Sequence, residues 1–339
     1  MQDMFLVEGF YVETVEGLIF TVKGHLHPPG SVIAYLRYLP HPQGERVRGG
    51  VRYRRVYSFE EQYRVLEEGY PQYLAYDEVL DQVVQRVPLR SVVKVYDPRE
   101  GAVELSRRRG RLPPLMEDAL DFLELLSAKS GVKLSDLGIS GSILVDMTTE
   151  SSDIDVVVYG LESCYAVHEA LRELLDKEEE GVAKLRSEDL RKLYRAREAV
   201  VPFEVFADQE ARKTIQGRFR GREFFVRYVK KPEEVDERYG DRTYRTVGVA
   251  KIKARVIDSS DSIFTPCVYK VSDVKFLEGV EVERLVEVAS FRGRFCEQAV
   301  EGDLILARGK VEAVTSKSTG ESYYRLLLGG SSEDFMVRV

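Results

Sequence analysis

LGISGSILVDMTTESSDIDVVVYG, residues 137–160, reads as a short strand at Leu137–Ser140, a turn, and a second apolar strand at Ile154–Tyr159. Successive side chains of a strand point to opposite faces. Asp153 and Asp155 therefore project to one side, about 7 Å apart at about 3.3 Å per residue, while Ile154 and Val156 take the other face and can be buried. Two neighbouring carboxylates repel each other, and ionising both is costly unless a cation sits between them. Mg²⁺ takes a few carboxylate oxygens and completes its shell with water and phosphate oxygens, so a rigid Asp-x-Asp on a strand suits a metal–nucleotide complex. The preceding turn supplies the other half of such a site. Gly141 lets the backbone approach a phosphate, and neighbouring N–H groups and the Ser142 hydroxyl can donate to it.

Working outward, PLMEDALDFLELLSAKSG places Leu115, Ala119, Phe122, Leu123 and Leu126 on one stripe behind a proline and acids, which predicts an amphipathic helix. A second helix is predicted from about Ser163 to Lys177, with Leu161, Tyr165, His168, Leu171 and Leu175 at helical spacing. A charged stretch then leads to a third apolar run, Val200–Phe206, read as a strand. Helix, strand, turn, strand, helix, strand outlines an α+β domain over residues 113–240. Residues 1–112 read as a separate mixed α+β domain with β-rich runs, an Arg-rich stretch at 40–55, a helical pattern near 59–85 and a strand at 91–96. The run Ser106–Pro114, rich in arginine and ending in Pro113-Pro114, reads as the linker between them. From residue 245 to 339, short apolar bursts separated by turn residues predict a small all-β unit, possible as an oligonucleotide-binding type of barrel.

The residues of the central segment resemble the polymerase-β-like nucleotidyltransferase superfamily. Its signature is Gly-Ser, a gap of about ten residues, and Asp-hydrophobic-Asp-hydrophobic. Here Gly141-Ser142 precedes Asp153-Ile154-Asp155-Val156 across residues 143–152, with Ser152 directly before the acids. The flanking regions are also similar to uncharacterised archaeal proteins described only as nucleotidyltransferases by inference. The resemblance covers about residues 115–210. It implies a third carboxylate on a later strand, for which Glu204 is the one acid in Val200–Phe206. It also implies two-metal, Mg²⁺- or Mn²⁺-dependent transfer of a nucleoside monophosphate from a nucleoside triphosphate to a hydroxyl on RNA, a protein or a small molecule. Asp153, Asp155 and Glu204 would hold metal, and Gly141 and Ser142 would hold the triphosphate. The chain departs from the family where many members carry arginine after Gly-Ser, since it has Ile143 and Val145, and it has Glu rather than Asp at the third acid.

Plainer readings stand beside each of these. The acid pair could be an ordinary acidic turn, and Glu204 a solvent-facing residue or the partner of a nearby arginine. The Asp-x-Asp of sugar-nucleotide glycosyltransferases lacks an upstream Gly-Ser at this distance. His25 and His27 have no third ligand at a recognisable spacing and read as structural, as does His168. Arg218, Arg220 and Arg222 could hold triphosphate or line a wet sheet face. The arginines from Arg46 to Arg55 could contact RNA or polyphosphate, or be a solvated loop. Two further classes therefore remain open: an idle nucleotidyltransferase fold that senses nucleotide, and a nucleic-acid-binding module. The composition bounds these choices. With 50 basic and 57 acidic residues among 339 and a formal charge of -7, global charge gives no reason to expect nucleic acid, and any such surface must be local. Three scattered cysteines, Cys164, Cys267 and Cys296, have no metal or redox spacing. With no long apolar run and no export signal, the sequence predicts a cytoplasmic protein without membrane contact.

Overall fold

Val12, Phe20, Val22, Ala34 and Leu36 are fully buried on β1 (Tyr11–Thr14), β2 (Ile19–Val22) and β3 (Ser31–Pro40), in a computed structural model that describes residues 5–339. A tight turn at Gly49-Gly50, both left-handed at φ 56 and 81, joins β4 (Arg46–Arg48) to β5 (Val51–Arg55). Glycine is the residue that adopts this geometry without strain. Next come α1 (Phe59–Gly69), β6 (Leu74–Asp77), β7 (Gln82–Pro88) and β8 (Val92–Tyr96). The helical pattern expected over 59–85 thus ends at Gly69. Pro71 supplies no N–H donor, and the β-branched Val83 and Val84 continue as strand. The sheet runs β4-β5-β3-β2-β1-β8, and β7 pairs with β3 and β6.

Asp97 caps α2 (Pro98–Arg107), so the linker expected over 106–114 begins inside a helix. α3 (Pro114–Ser130) starts on a proline, ends at left-handed Gly131, and buries the expected stripe of Leu115, Ala119, Phe122, Leu123 and Leu126. Then follow β9 (Leu137–Ile139), the one-turn α4 (Gly141–Leu144), β10 (Ile154–Tyr159) and α5 (Leu161–Lys177).

Beyond them lie β11 (Val182–Ala183), α6 (Ser187–Ala196), α7 (Phe203–Glu210), β12 (Gln216–Phe219) and β13 (Arg222–Val229). The strand expected at Val200–Phe206 is instead a loop running into α7. Pro202 stands at the helix start, and Phe206, Gln209 and Glu210 are buried at helical rather than alternating spacing.

β10 has the antiparallel β9 on one side and the parallel β13 on the other. Its Val156, Val157 and Val158 are buried on both faces. On one face Phe122 of α3 packs on Phe224, and the His168 ring of α5 meets Tyr228 edge-on at 5.7 Å. On the other, Val157, Tyr159 and Val229 share a core with Val12, Phe20 and Leu36 of the N-terminal sheet.

The last sheet is β14 (Arg242–Asp258), β15 (Cys267–Gly279), β16 (Leu285–Ser290), β17 (Leu304–Ser316), β18 (Ser322–Leu328) and β19 (Phe335–Arg338). Its order β14-β15-β16-β18-β17 returns to β14 and closes a ring, with β19 at the side of β17. β16 and β18 run parallel and the other pairs antiparallel.

The protein is therefore mixed α+β with several sheets. It divides into two compact units: one takes the chain to Asp77, Gln82–Leu171 and Phe219–Tyr239, the other Glu78–Asp81, Arg172–Arg218 and Gly240–Val339. The boundary expected at residue 112 falls inside the first unit, and the expected 113–240 domain is shared between both. Among the described residues no helix is long and apolar enough to cross a membrane.

Candidate active site

The mouth of the site is where β9 ends and β10 begins. Ser140 N donates to Asp155 O at 2.8 Å, which draws the turn after β9 against the first acid-bearing residues of β10. Gly141 follows with φ 63, and a Cβ built on it would overlap the Asp155 carboxylate, 2.7 Å from its Cγ. Only glycine gives both the backbone angle and the room. The alternation of β10 turns Ile154 and Val156 into the core and Asp155 to the face that looks toward the N-terminal sheet, with Asp153 one step earlier. The structure thus brings Gly141, Asp153 and Asp155 together.

Ser142 is adjacent but turned away. It is buried, and its hydroxyl donates to Ser152 Oγ at 3.1 Å, which in turn accepts Thr149 N at 2.9 Å. These two serines brace the loop between the Gly-Ser and the acids.

Glu204 sits exposed in the first turn of α7, in the second compact unit, and the strand reading that made it a third carboxylate is incorrect. The strand beside β10 is β13, with Ile154 opposite Phe224 and Asp155 opposite Phe225. No local sequence pattern announces this pairing, because it joins residues far apart in the chain. Among the described residues, no group of three or more His, Cys, Asp or Glu side chains is placed to hold a metal ion.

Electrostatics mark the pair. Burial, then repulsion from Asp153, pushes the Asp155 carboxyl up to about 7, although Arg227, Arg37 and Arg55 pull it down. The first unit surrounds these acids with cations and phenols. Tyr11 and Tyr38, both buried, have their hydroxyls held above the usual range by burial, and the charge of Asp155 adds to this. Tyr11, Tyr38, Tyr53 and Tyr96 pack with Val145 and Met147 of the loop between Ser142 and Asp153. The Arg46 guanidinium donates to the Met147 carbonyl.

The other candidates resolve as structure. Arg218 pairs with Asp189, while Arg220 and Arg222 pair with Asp118 and Asp121 of α3, so all three are engaged by acids. His27 lies between Leu6 O at 2.8 Å and Ile33 N at 3.3 Å. Cys164, Cys267 and Cys296 are free and buried.

The acid pair lies at the start of a strand inside a mixed sheet, with a left-handed glycine against the Asp155 carboxylate and the charges of Arg227, Arg37 and Arg55 acting on it. Over 336 residues, 96% of each chain, the sequence is 32% identical to the uncharacterized protein MJ1086 of Methanocaldococcus jannaschii. The chain belongs to the same family as that protein. No protein-family model matches it, and no solved structure does.

Proposed function

We propose that the protein is a metal-dependent nucleotidyltransferase whose site is Gly141, Ser142, Asp153 and Asp155. The observation that carries this reading is the contact between Gly141 and the Asp155 carboxylate. It places the turn of the Gly-Ser against the Asp-x-Asp, as the sequence signature requires. The donor set fits a divalent cation: two carboxylates on one face, one of them desolvated, and no Cβ at Gly141 to fill the space against them. Mg²⁺ or Mn²⁺, when bound, would remove the repulsion between the acids and draw charge from phosphate oxygens.

In the reaction, the oxygen of an acceptor hydroxyl bonds to the α-phosphorus of a nucleoside triphosphate. The bond from that phosphorus to the bridging oxygen breaks, pyrophosphate leaves, and the hydroxyl proton passes to a base. Asp153 and Asp155 would hold the cation, which would supply positive charge to the phosphate oxygens, and the turn at Gly141 leaves room for the phosphates to come close. Ser142 reaches a phosphate oxygen once its hydroxyl rotates away from Ser152. The ring of strands at the C-terminal end is compatible with an oligonucleotide-binding type of barrel, which supports a nucleic-acid end as acceptor.

The test is transfer of α-labelled nucleoside monophosphate, from each triphosphate with Mg²⁺ or Mn²⁺, to a pool of small RNAs and to the protein itself. Labelled product should form with wild type and fall at least about a hundredfold in Asp155→Asn. Glu204→Gln should be unaffected. Equal labelling by wild type and Asp155→Asn would sink the reading.

A further inference from the structure

The five arginines from Arg46 to Arg55 do not form a solvated loop. Arg46 donates to Met147 O, Arg48 pairs with Glu13, Arg52 donates to Gly44 O at 3.0 Å, and Arg54 pairs with Glu61. Arg55 is left over. Among the described residues it forms no ion pair; its Nε is buried without a hydrogen-bond partner, and its guanidinium stacks over Tyr57 at 4.9 Å.

Arg37 is in the same position by a different route. On β3, Leu36 pairs with Phe20 and Tyr38 with Ile19, so two residues of β3 pass for one of β2 and Arg37 sits at the bulge. Bulges re-aim side chains and gather beside active sites. Arg37 likewise forms no ion pair among the described residues, although it is half-buried. Tyr38 and Arg55 stand directly opposite each other on β3 and β5. Both arginines are within electrostatic reach of the acid pair, Arg37 and Arg55 each acting on Asp155 and the charge of Asp153 acting on Arg55. The Arg46 bond to Met147 and the packing of Tyr38 on Val145 and Met147 fix this sheet to the loop that carries the acids.

Arg197, Arg218 and Arg227, also half-buried, have carboxylates in contact. Among the described residues Arg37 and Arg55 have none, and with the acid pair in electrostatic reach they offer a multivalent anion two guanidiniums beside a cation site.

The geometry points to Arg37 and Arg55 of the N-terminal sheet as the anchors for the polyphosphate tail of the ligand. The N-terminal sheet is then half of the active site, and the ligand class is a linear polyphosphate or its nucleoside ester. This rests on the nucleotidyl-transfer reading for its substrate but not for its binding chemistry, because anion capture by the arginines needs no transfer.

The experiment is calorimetric titration of the full chain with inorganic tripolyphosphate without metal, and with ATP plus Mg²⁺. It compares wild type, Arg37→Gln, Arg55→Gln, Arg55→Lys, Asp155→Asn, and, as a control, Arg109→Gln, whose guanidinium pairs with Asp121 and Glu124 of α3. Tripolyphosphate should bind wild type, Asp155→Asn and Arg109→Gln, and weaken about tenfold with each arginine lost. Arg55→Lys keeps the charge but not the fork and should fall between, which separates loss of an anchor from misfolding. Arginine variants that bind tripolyphosphate as wild type does would overturn the inference while leaving the transfer reading intact, provided ATP binding still requires Asp155. Tripolyphosphate binding that depends on both arginines, in a protein with no transfer activity, supports the inference and sinks the transfer reading. No binding of either ligand to wild type overturns both.

Discussion

Two acids in this molecule, Glu210 buried and Asp155 half-buried, are treated in opposite ways. Glu210, on α7 in the second unit, has Lys213 Nζ, Arg197 and Gln216 Nε2 each at 2.7 Å. Asp155, in the first unit, has another carboxylate beside it and no cation in ion-pair contact among the described residues. Burial alone would raise both carboxyls. At Glu210, Lys213 and Arg197 overcome it and hold the group down at about 2, whereas Asp155 is pushed up to about 7. A buried charge with its partners supplied is part of the architecture; one left wanting a partner marks a place for a ligand.

The contrast is open to attack at both ends. Glu210→Ala should have the largest effect on stability, about 3–5 kcal/mol measured by denaturant unfolding, because Lys213 would remain buried with its charge uncompensated. Glu210→Gln should alter the acid limb. The folded group titrates at about 2 against an ordinary 4.5, so its contribution is complete above about pH 4.5 and is lost as pH falls through about 2. In a melting series from pH 6 to 2, the wild type should lose stability across that window and the Gln variant should show a flatter limb. A limb of unchanged slope would mean the Glu210 network is no better paired than the acid pair.

Gly141→Ala should cost about 1–3 kcal/mol from its positive φ and the displaced carboxylate, and should abolish nucleotide binding while the fold survives. Wild-type binding in this variant would show that the close approach is incidental. Asp155→Asn should have the smallest effect and the opposite sign. In metal-free buffer at neutral pH it should raise stability, on the order of 1 kcal/mol, by removing a repelled and desolvated charge. Destabilisation instead would mean Asp155 already has its partners.

Much of this site was legible in the sequence because its signals are local. The alternation of Asp153-Ile154-Asp155-Val156 fixed which side chains share a face, and β10 begins where the apolar run does. Gly141 marked a turn that proved left-handed. What could not be read was set by pairing between distant segments. Val200–Phe206 alternates well enough to pass for a strand, yet Pro202 starts a helix there. The strand that does flank β10 is β13, whose register with β10 no local pattern encodes. Arg37 was invisible for the same reason, and Arg55 stood only as one of a run that could contact polyphosphate or be a solvated loop: the bulge on β3 and the pairing of Tyr38 with Arg55 are set by strands that no local pattern joins to acids a hundred residues away.

The central claim is that Asp153 and Asp155 bind a metal–nucleotide complex, and the melting shift with nucleoside triphosphate tests it most directly. A triphosphate at 100 times its dissociation constant adds about 2.7 kcal/mol of stability. Wild type should show this shift only when Mg²⁺ or Mn²⁺ is present, and Asp153→Asn/Asp155→Asn should show none. A shift of the same size in the double variant, or one that needs no metal, would contradict the account.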